Sequence, residues 1–318
     1  MHAAVVHAFD RPPRYDTVVR REPGEGEIVV DMLAAALSPR ARAGAAGGHY
    51  SGVGKLPLVP GIDGIGRTVE GQLVYVLATD SPDGTMAEQT ISDPDHLLAL
   101  PDGIDPVAAA AAGVAGISSW IALTARTVLQ PGQEVLVLGA TGVAGRMAVQ
   151  IAKTLGASRV VAAGRDPERL TALTAVGADT VVRLGDPDAS AADLVAAAAG
   201  VDVVLDYVWG EVTQRALPAL AAARTPADGS LHWVSIGSTA GSEIALPSAA
   251  LRSRDLHLLG SGQGSFTTAQ LMVALRGLMD ALAAGSIDVL ADTVPLADVE
   301  KAWQAPEVPG RRTVFTMP

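Results

Sequence analysis

Residues 135–145, Val-Leu-Val-Leu-Gly-Ala-Thr-Gly-Val-Ala-Gly, constrain the fold of this chain more than any other stretch. A short apolar run, Val135 to Leu138, leads into Gly139-Ala140-Thr141-Gly142-Val143-Ala144-Gly145. Met147, Ile151 and Leu155 then recur at helical spacing. Strand, glycine-rich turn and helix in that order form the arrangement that receives a dinucleotide pyrophosphate. Small residues let the backbone approach the phosphates, and the unpaired N–H groups of the first helical turn face them. The match to G-x-G-x-x-G is imperfect, because Ala140 stands at the first glycine position. Close packing of a strand on a helix would also ask for small residues there.

A chain of 318 residues has room for two domains. With 49% hydrophobic and 18% charged residues it can bury a substantial core. Its net charge of −11 argues against nucleic acid or an anionic membrane as the main partner. The absence of cysteine excludes disulfides, a thiolate nucleophile and cysteine-ligated metal. Met1-His2-Ala3-Ala4-Val5-Val6-His7 places no basic region ahead of a long apolar one, so no secretory signal is expected and the cytoplasm is the expected location. Val107 to Ala125 is uncharged and about as long as a membrane span. Alanine dominates it, and Gly113, Gly116, Ser118 and Ser119 interrupt it, so a buried helix pair is expected instead.

The first hundred residues read as an irregular, mostly β domain. Runs at Ala3–His7, Glu27–Leu33, Arg67–Val69 and Gln72–Leu77 sit between Pro/Gly-rich turns. From about residue 113 onward, strands at 135–139, 159–163, 180–183, 201–206 and 231–236 alternate with helices at 143–155, 167–176, 190–199 and 210–222. That alternation predicts an α/β fold with a doubly wound parallel sheet. An apolar run at Leu256–Leu259, a helix at Ala269–Ala284 and a strand at Arg312–Thr316 complete the chain.

With these elements placed, the chain resembles a medium-chain dehydrogenase/reductase of the zinc-free quinone oxidoreductase branch. The carriers are Val59-Pro60-Gly61-Ile62-Asp63-Gly64-Ile65-Gly66, Gly84-Thr85-Met86-Ala87-Glu88, Ala111–Trp120, Leu129-Gln130-Pro131-Gly132-Gln133, Gly139–Gly145 and Val201–Asp206. The resemblance implies a Rossmann domain inserted in a GroES-like β domain. The expected boundaries are 1–113 for the first part of the substrate domain, 114–258 for the Rossmann domain and 259–318 for the return. It also implies a homodimer joined through Rossmann edge strands, with Ile236 to Leu259 as the edge segment. Relatives with catalytic zinc carry Gly-His-Glu where this chain has Gly61-Ile62-Asp63, and a cysteine near the position of Ser38. No metal site is expected, and hydride transfer to an activated acceptor, a quinone, enone or enal, follows.

An NAD site places an acid about 20 residues past the glycine-rich turn, on the ribose 2′-OH. Here the second strand ends in Gly164-Arg165-Asp166, with Arg169 shortly after. Loss of the acid at Gly164 and a guanidinium at Arg165 favour the 2′-phosphate of NADPH, with Arg169 as a second cation. A solvated surface charge is the plainer reading of Arg165. Asp166 is the competing NAD-type acid, but Asp before Pro167 is explained as a helix start. The expected cofactor contacts are therefore Ala140, Thr141, Gly142, Val143, Gly145, Gly164, Arg165 and Arg169. By resemblance Ser118, Gly237, Ser238 and Ser261 join them at the nicotinamide end, although Ser118 equally suits a capping role.

The chemical side chains are less defined. Tyr50, in the loop Gly47-Gly48-His49-Tyr50-Ser51-Gly52, is placed to donate a proton or only to close a pocket. Ser38, Arg40 and Asp63 match cleft-lining positions of the family. The family's Asn-Pro-x-Asp reads Ser38-Pro39-Arg40-Ala41 here, which leaves open a specialised relative, such as a cyclase, a lyase or an NADPH-sensing binding protein.

Overall fold

Short apolar runs separated by turn residues give short, twisted strands, and the first part of the chain is built from them. The computed structural model describes residues 1–48, 55–78 and 83–318. The chain divides into two units, Met1–Ala115 with Leu275–Pro318, and Gly116–Ala274. The return to the first unit falls at Leu275, later than the expected 259.

In the first unit β1 (His2–Val5) pairs antiparallel with β2 (Arg14–Thr17). β3 (Ile28–Ala36) is followed by α1 (Pro39–Ala45), whose first turn Ser38 caps through Ala41 N–H. β4 (Asp63–Thr68), β5 (Leu73–Leu77), β6 (Gln89–Ser92) and β7 (Leu97–Ala99) extend the sheet around β3. The expected strand at Arg67–Val69 begins earlier, at Asp63. Gly64 and Gly66 show no alternation because Met32 and Val30 of β3 fill the space that their side chains would take. Val30, Met32, Val74, Val76, Met86 and Phe315 form the core beneath.

The stretch 107–125 is not a helix pair. It is one helix, α2 (Pro106–Ile121), which runs on into a π-type turn at Ala122–Arg126. Gly113 does not break it. A Cβ there would overlap the Tyr75 hydroxyl and the Asp63 carboxylate, so glycine lets the helix close on that pair. By length and composition 106–126 could cross a membrane, but 67% of its most apolar window is buried inside the protein, as in a core helix.

The second unit follows the alternation read from the sequence. β8 (Glu134–Leu138), α3 (Val143–Thr154), β9 (Arg159–Gly164), α4 (Pro167–Ala172) and β10 (Thr180–Arg183) form its first half. α5 (Pro187–Ala198), β11 (Val203–Asp206), α6 (Gly210–Ala223), β12 (Leu231–Ser235), α7 (Ser248–Arg252) and β13 (Leu256–Gly260) form its second. The sheet order is β10-β9-β8-β11-β12-β13, parallel throughout. Counted from β8, that is the 3-2-1-4-5-6 order of a doubly wound dinucleotide fold, with its reversal between β8 and β11. Leu136, Leu138, Val161, Val204, Leu217 and Trp233 fill its core.

The predicted helix at 167–176 ends early, at Ala172, and a 3-10 turn at Leu173–Val176 closes on Gly177. The helix predicted at 190–199 begins three residues sooner, because Asp186 caps it ahead of Pro187. α8 (Thr268–Ala283) carries the chain back to β14 (Ala291–Pro295), α9 (Val299–Gln304) and β15 (Arg312–Thr316). β15 then pairs antiparallel with β3 and parallel with β14.

Candidate cofactor site

The glycine-rich turn leaves β8 at the point where the sheet order reverses. The N–H groups of Gly139 and Ala140 both donate to Ala163 O at 2.9 Å, which fixes the turn against β9. Gly142 is the N-cap of α3 and offers no side chain to cap it, and the first turn carries no acid. Among the described residues, the N–H groups of Val143 and Ala144 meet no acceptor, the usual condition of a first helical turn. Gly145 is buried beneath the turn, where a Cβ would lie 2.6 Å from Ala140 Cα. Ala140 itself is fully buried and its N–H is taken up by Ala163 O, so it shapes the turn from beneath. Thr141 and Val143 are half-buried and Gly142 is exposed.

At the end of β9, Gly164 is buried against Thr141, and a Cβ there would lie 2.6 Å from Thr141 Cγ2. Arg165 is exposed, with no ion pair or hydrogen bond to the described residues. Asp166 caps α4 as the sequence predicts, its Oδ1 accepting the N–H groups of Glu168 and Arg169 at 3.1 and 3.0 Å. The Arg169 N–H, then the Arg169 side chain and last the Glu168 N–H, hold its carboxyl below the ordinary range. Arg169 is therefore engaged rather than free: its guanidinium pairs with Asp166 Oδ2 at 2.7 Å.

On the other side of the turn, Asp206 ends β11 fully buried. Its carboxylate accepts from Val208 and Trp209 N–H, both at 2.9 Å, from Thr213 Oγ1 at 2.6 Å and from Trp233 Nε1 at 3.0 Å. Those bonds hold Trp209 at φ 53°, a conformation uncommon outside glycine. Tyr207 is buried, which pushes its hydroxyl up to about 12, and that hydroxyl meets Ser118 Oγ at 3.1 Å. Gly237 N–H donates to Asp206 O at 3.1 Å, and Ser238 is exposed beside it. Ser261 N–H donates to Ser235 O at 2.9 Å, while its buried Oγ has no partner among the described residues. Arg126, from the π-type turn, donates to Gly260 O at 3.0 Å and Ser265 O at 2.9 Å, fixing that loop. Nothing in the sequence singles out Arg126, because its partners are backbone carbonyls more than a hundred residues away.

Ser38 and Asp63, two of the expected chemical residues, both lie buried in the first unit. Ser38 is 1% exposed and its hydroxyl is taken up in capping α1. Asp63 is also 1% exposed; Oδ2 accepts from Val114 N–H at 3.2 Å and from the Tyr75 hydroxyl, while Oδ1 has no partner among the described residues. Burial raises its carboxyl to about 6, against the lowering effects of Tyr75, Val114 N–H, Arg312 and Arg40. The same burial, with Asp63 beside it, raises the Tyr75 hydroxyl well above its ordinary value. Sequence reasoning misses Tyr75, which sits where a strand alternation would place any core residue. Tyr50 lies outside the described residues. Among the described residues no group of three or more His, Asp or Glu side chains could hold a metal ion.

Residues 144–276 match the family described as zinc-binding dehydrogenase. The probable NADPH-dependent quinone reductase tdiC of Emericella nidulans is 29% identical, covering 99% of both chains. The quinone oxidoreductase of Thermus thermophilus, solved also with NADPH, is 28% identical with a TM-score of 0.83, covering 99% of this chain and 100% of that one. This chain is a medium-chain dehydrogenase/reductase of the quinone oxidoreductase branch. As in the branch, a Rossmann unit interrupts a mostly β unit, and oxidoreductase chemistry comes with the family. A segment of a phenolphthiocerol/phthiocerol polyketide synthase subunit of Mycobacterium tuberculosis is 32% identical to 69% of the chain, which spans 10% of that subunit's length.

Proposed function

We propose that this chain is an NADPH-dependent, zinc-independent oxidoreductase that delivers hydride to a quinone or an α,β-unsaturated carbonyl compound. The observation that carries the cofactor choice is the end of β9. No carboxylate is free there to accept a ribose 2′-OH, since position 164 is glycine and Asp166 is saturated by four donors. Arg165, exposed and unpaired among the described residues, supplies a bidentate cation for a 2′-phosphate. The turn fits a pyrophosphate, with open N–H groups at α3 and glycines where a Cβ would intrude. Thr141, Gly142 and Val143 would hold it, with Ala140 packed beneath them, and Ser118, Gly237, Ser238 and Ser261 would line the opposite end. When bound, the nicotinamide supplies the hydride.

The acceptor class follows from the branch and from the residues at the positions of its zinc ligands, where Ser38 and Ile62 cannot bind a catalytic metal. Relatives named as quinone reductases support it. Consumption of NADPH against a panel of quinones, enones and enals tests this reading. Turnover with at least one class supports it. Tight NADPH binding with no turnover against any of them supports the alternative, a family member acting as a cyclase, lyase or sensor. The altered Ser38–Ala41 segment favours that second reading.

The chain is further proposed to pair with a second copy through β13. That strand is the outer edge of the parallel sheet, with Leu258 38% exposed on it.

A further inference from the structure

The guanidinium of Arg169 lies on the carboxylate of Asp166, with Nε 3.0 Å and Nη2 2.7 Å from Oδ2. The other carboxylate oxygen is taken by two N–H groups of α4. The remaining nitrogen of Arg169, Nη1, reaches the carbonyl oxygen of Thr141 at 3.4 Å, so the ion pair borders the glycine-rich turn. Arg165, the adjacent cation, has no such partner among the described residues. Two arginines close in sequence thus stand in different electrostatic positions.

We propose that Arg169 sets cofactor selectivity without touching the cofactor, by cancelling the charge of Asp166 beside the 2′-phosphate site. This rests on the NADPH reading above. A side-chain acceptor is needed there to cap α4 ahead of Pro167, and here aspartate supplies it. Left uncompensated, its charge would repel a phosphate bound beside it and favour the cofactor that lacks one. Clamping Oδ2 with a guanidinium keeps the cap and removes the repulsion. It also denies Asp166 to a ribose hydroxyl. Arg169 is on this account a positioning and charge-masking residue, and Arg165 the phosphate ligand.

Fluorescence titration of NADPH and NADH into the wild type, Arg169→Ala, Asp166→Asn and the double variant tests the proposal. Arg169→Ala should raise the Kd for NADPH about tenfold and that for NADH by less than about twofold, the NADPH loss shrinking as salt screens Asp166. Adding Asp166→Asn should return NADPH to within about threefold of wild type, because Asn still caps the helix and carries no charge. A double variant as weak as Arg169→Ala alone would mean that Arg169 binds the phosphate itself, and would overturn the proposal. So would an Arg169→Ala protein with unchanged preference. A wild type that does not favour NADPH overturns the cofactor reading instead, and that shows before any variant is made. Asp166→Asn alone, which leaves Arg169 uncompensated, should bind NADPH at least as tightly as wild type; weaker binding would count against charge masking.

Discussion

Tyr75 donates its hydroxyl hydrogen to Asp63, and the two side chains are sealed together in the first unit, 2% and 1% exposed. The pair holds the N–H of Val114 and sits under the bare Cα of Gly113. Its second carboxylate oxygen is unsatisfied among the described residues, which is why burial outweighs the nearby arginines and raises the carboxyl from 3.8 to about 6.

That shift has a definite sign. An acid whose pKa is raised on folding destabilises the folded chain once the unfolded chain ionises. The penalty is absent below pH 3.8, grows as pH rises and is full above about 6. At about 1.4 kcal/mol per pH unit it is on the order of 3 kcal/mol. Asp63→Asn, which keeps an acceptor for Tyr75, should flatten the stability curve across that window. Urea midpoints of both proteins from about pH 4 to 7 measure it; parallel curves would mean that Asp63 does not titrate there.

Arg224 is 2% exposed and donates to the carbonyl oxygens of Ala199, Val201, Asp228, Gly229 and Ser230. Arg224→Leu should lower stability by about 3 kcal/mol or more, since each orphaned buried acceptor costs about 1–3 kcal/mol. Arg224→Lys should recover only part, because a compact ammonium cannot span the same fork of acceptors. Denaturant titration ranks the three proteins, and a Leu variant as stable as wild type would refute the clamp.

If Arg165 binds a 2′-phosphate, Arg165→Ala should weaken NADPH by about 1.5–3 kcal/mol, the range for a hydrogen bond to a charged group. That is roughly tenfold to a hundredfold in Kd. NADH should be nearly unaffected. Equal losses for both cofactors, measured by titration at two salt concentrations, would return Arg165 to the status of a surface charge.

A carboxylate at position 164 is the obvious route to NADH, and the structure opposes it. The new Cβ would lie 2.6 Å from Thr141 Cγ2 and 2.8 Å from its Oγ1. Gly164→Asp alone should lower stability by about 1–3 kcal/mol through overpacking. Thr141→Ala in the same chain should restore most of it and let the NADH preference emerge. Thermal melts with NADH titration decide the matter; a Gly164→Asp protein as stable as wild type would show that Thr141 simply rotates away.

Light scattering at micromolar concentration should give the mass of a dimer. Leu258→Asp, a charge on the β13 edge, should shift it to the monomer. A monomeric wild type would count against the pairing.

The Rossmann half is legible in the sequence because parallel strands and their crossovers follow long periodicities, and Thr180–Arg183 falls where the pattern puts it. The β unit is less so. β4 hides its alternation in Gly64 and Gly66, and β2 follows Pro12-Pro13, where a turn is the natural reading. Asp166 reads correctly as a cap, yet the same Asp-Pro pair at Asp186-Pro187 starts a helix that periodicity alone begins too late. The site is visible as a backbone motif. Its electrostatics are not: whether an arginine is free or engaged, as with Arg165 and Arg169, depends on a rotamer that no spacing encodes.

The pairing of β3 with β15 reaches beyond architecture, into the order of events at the ribosome. Ala36 pairs across to Val314, so the sheet of the first unit has to wait until translation has run from Ala36 to Val314. At translation rates of about 5–20 residues per second that is a delay of roughly 15 to 55 s, during which β3 has an unfilled edge. The second unit, continuous from Gly116 to Ala274, is complete before the last strand is made. Newborn chains should therefore pass through a stage in which the nucleotide half is folded and the β half still awaits its closing strand. That stage, not the finished enzyme, is where a holdase would find its client.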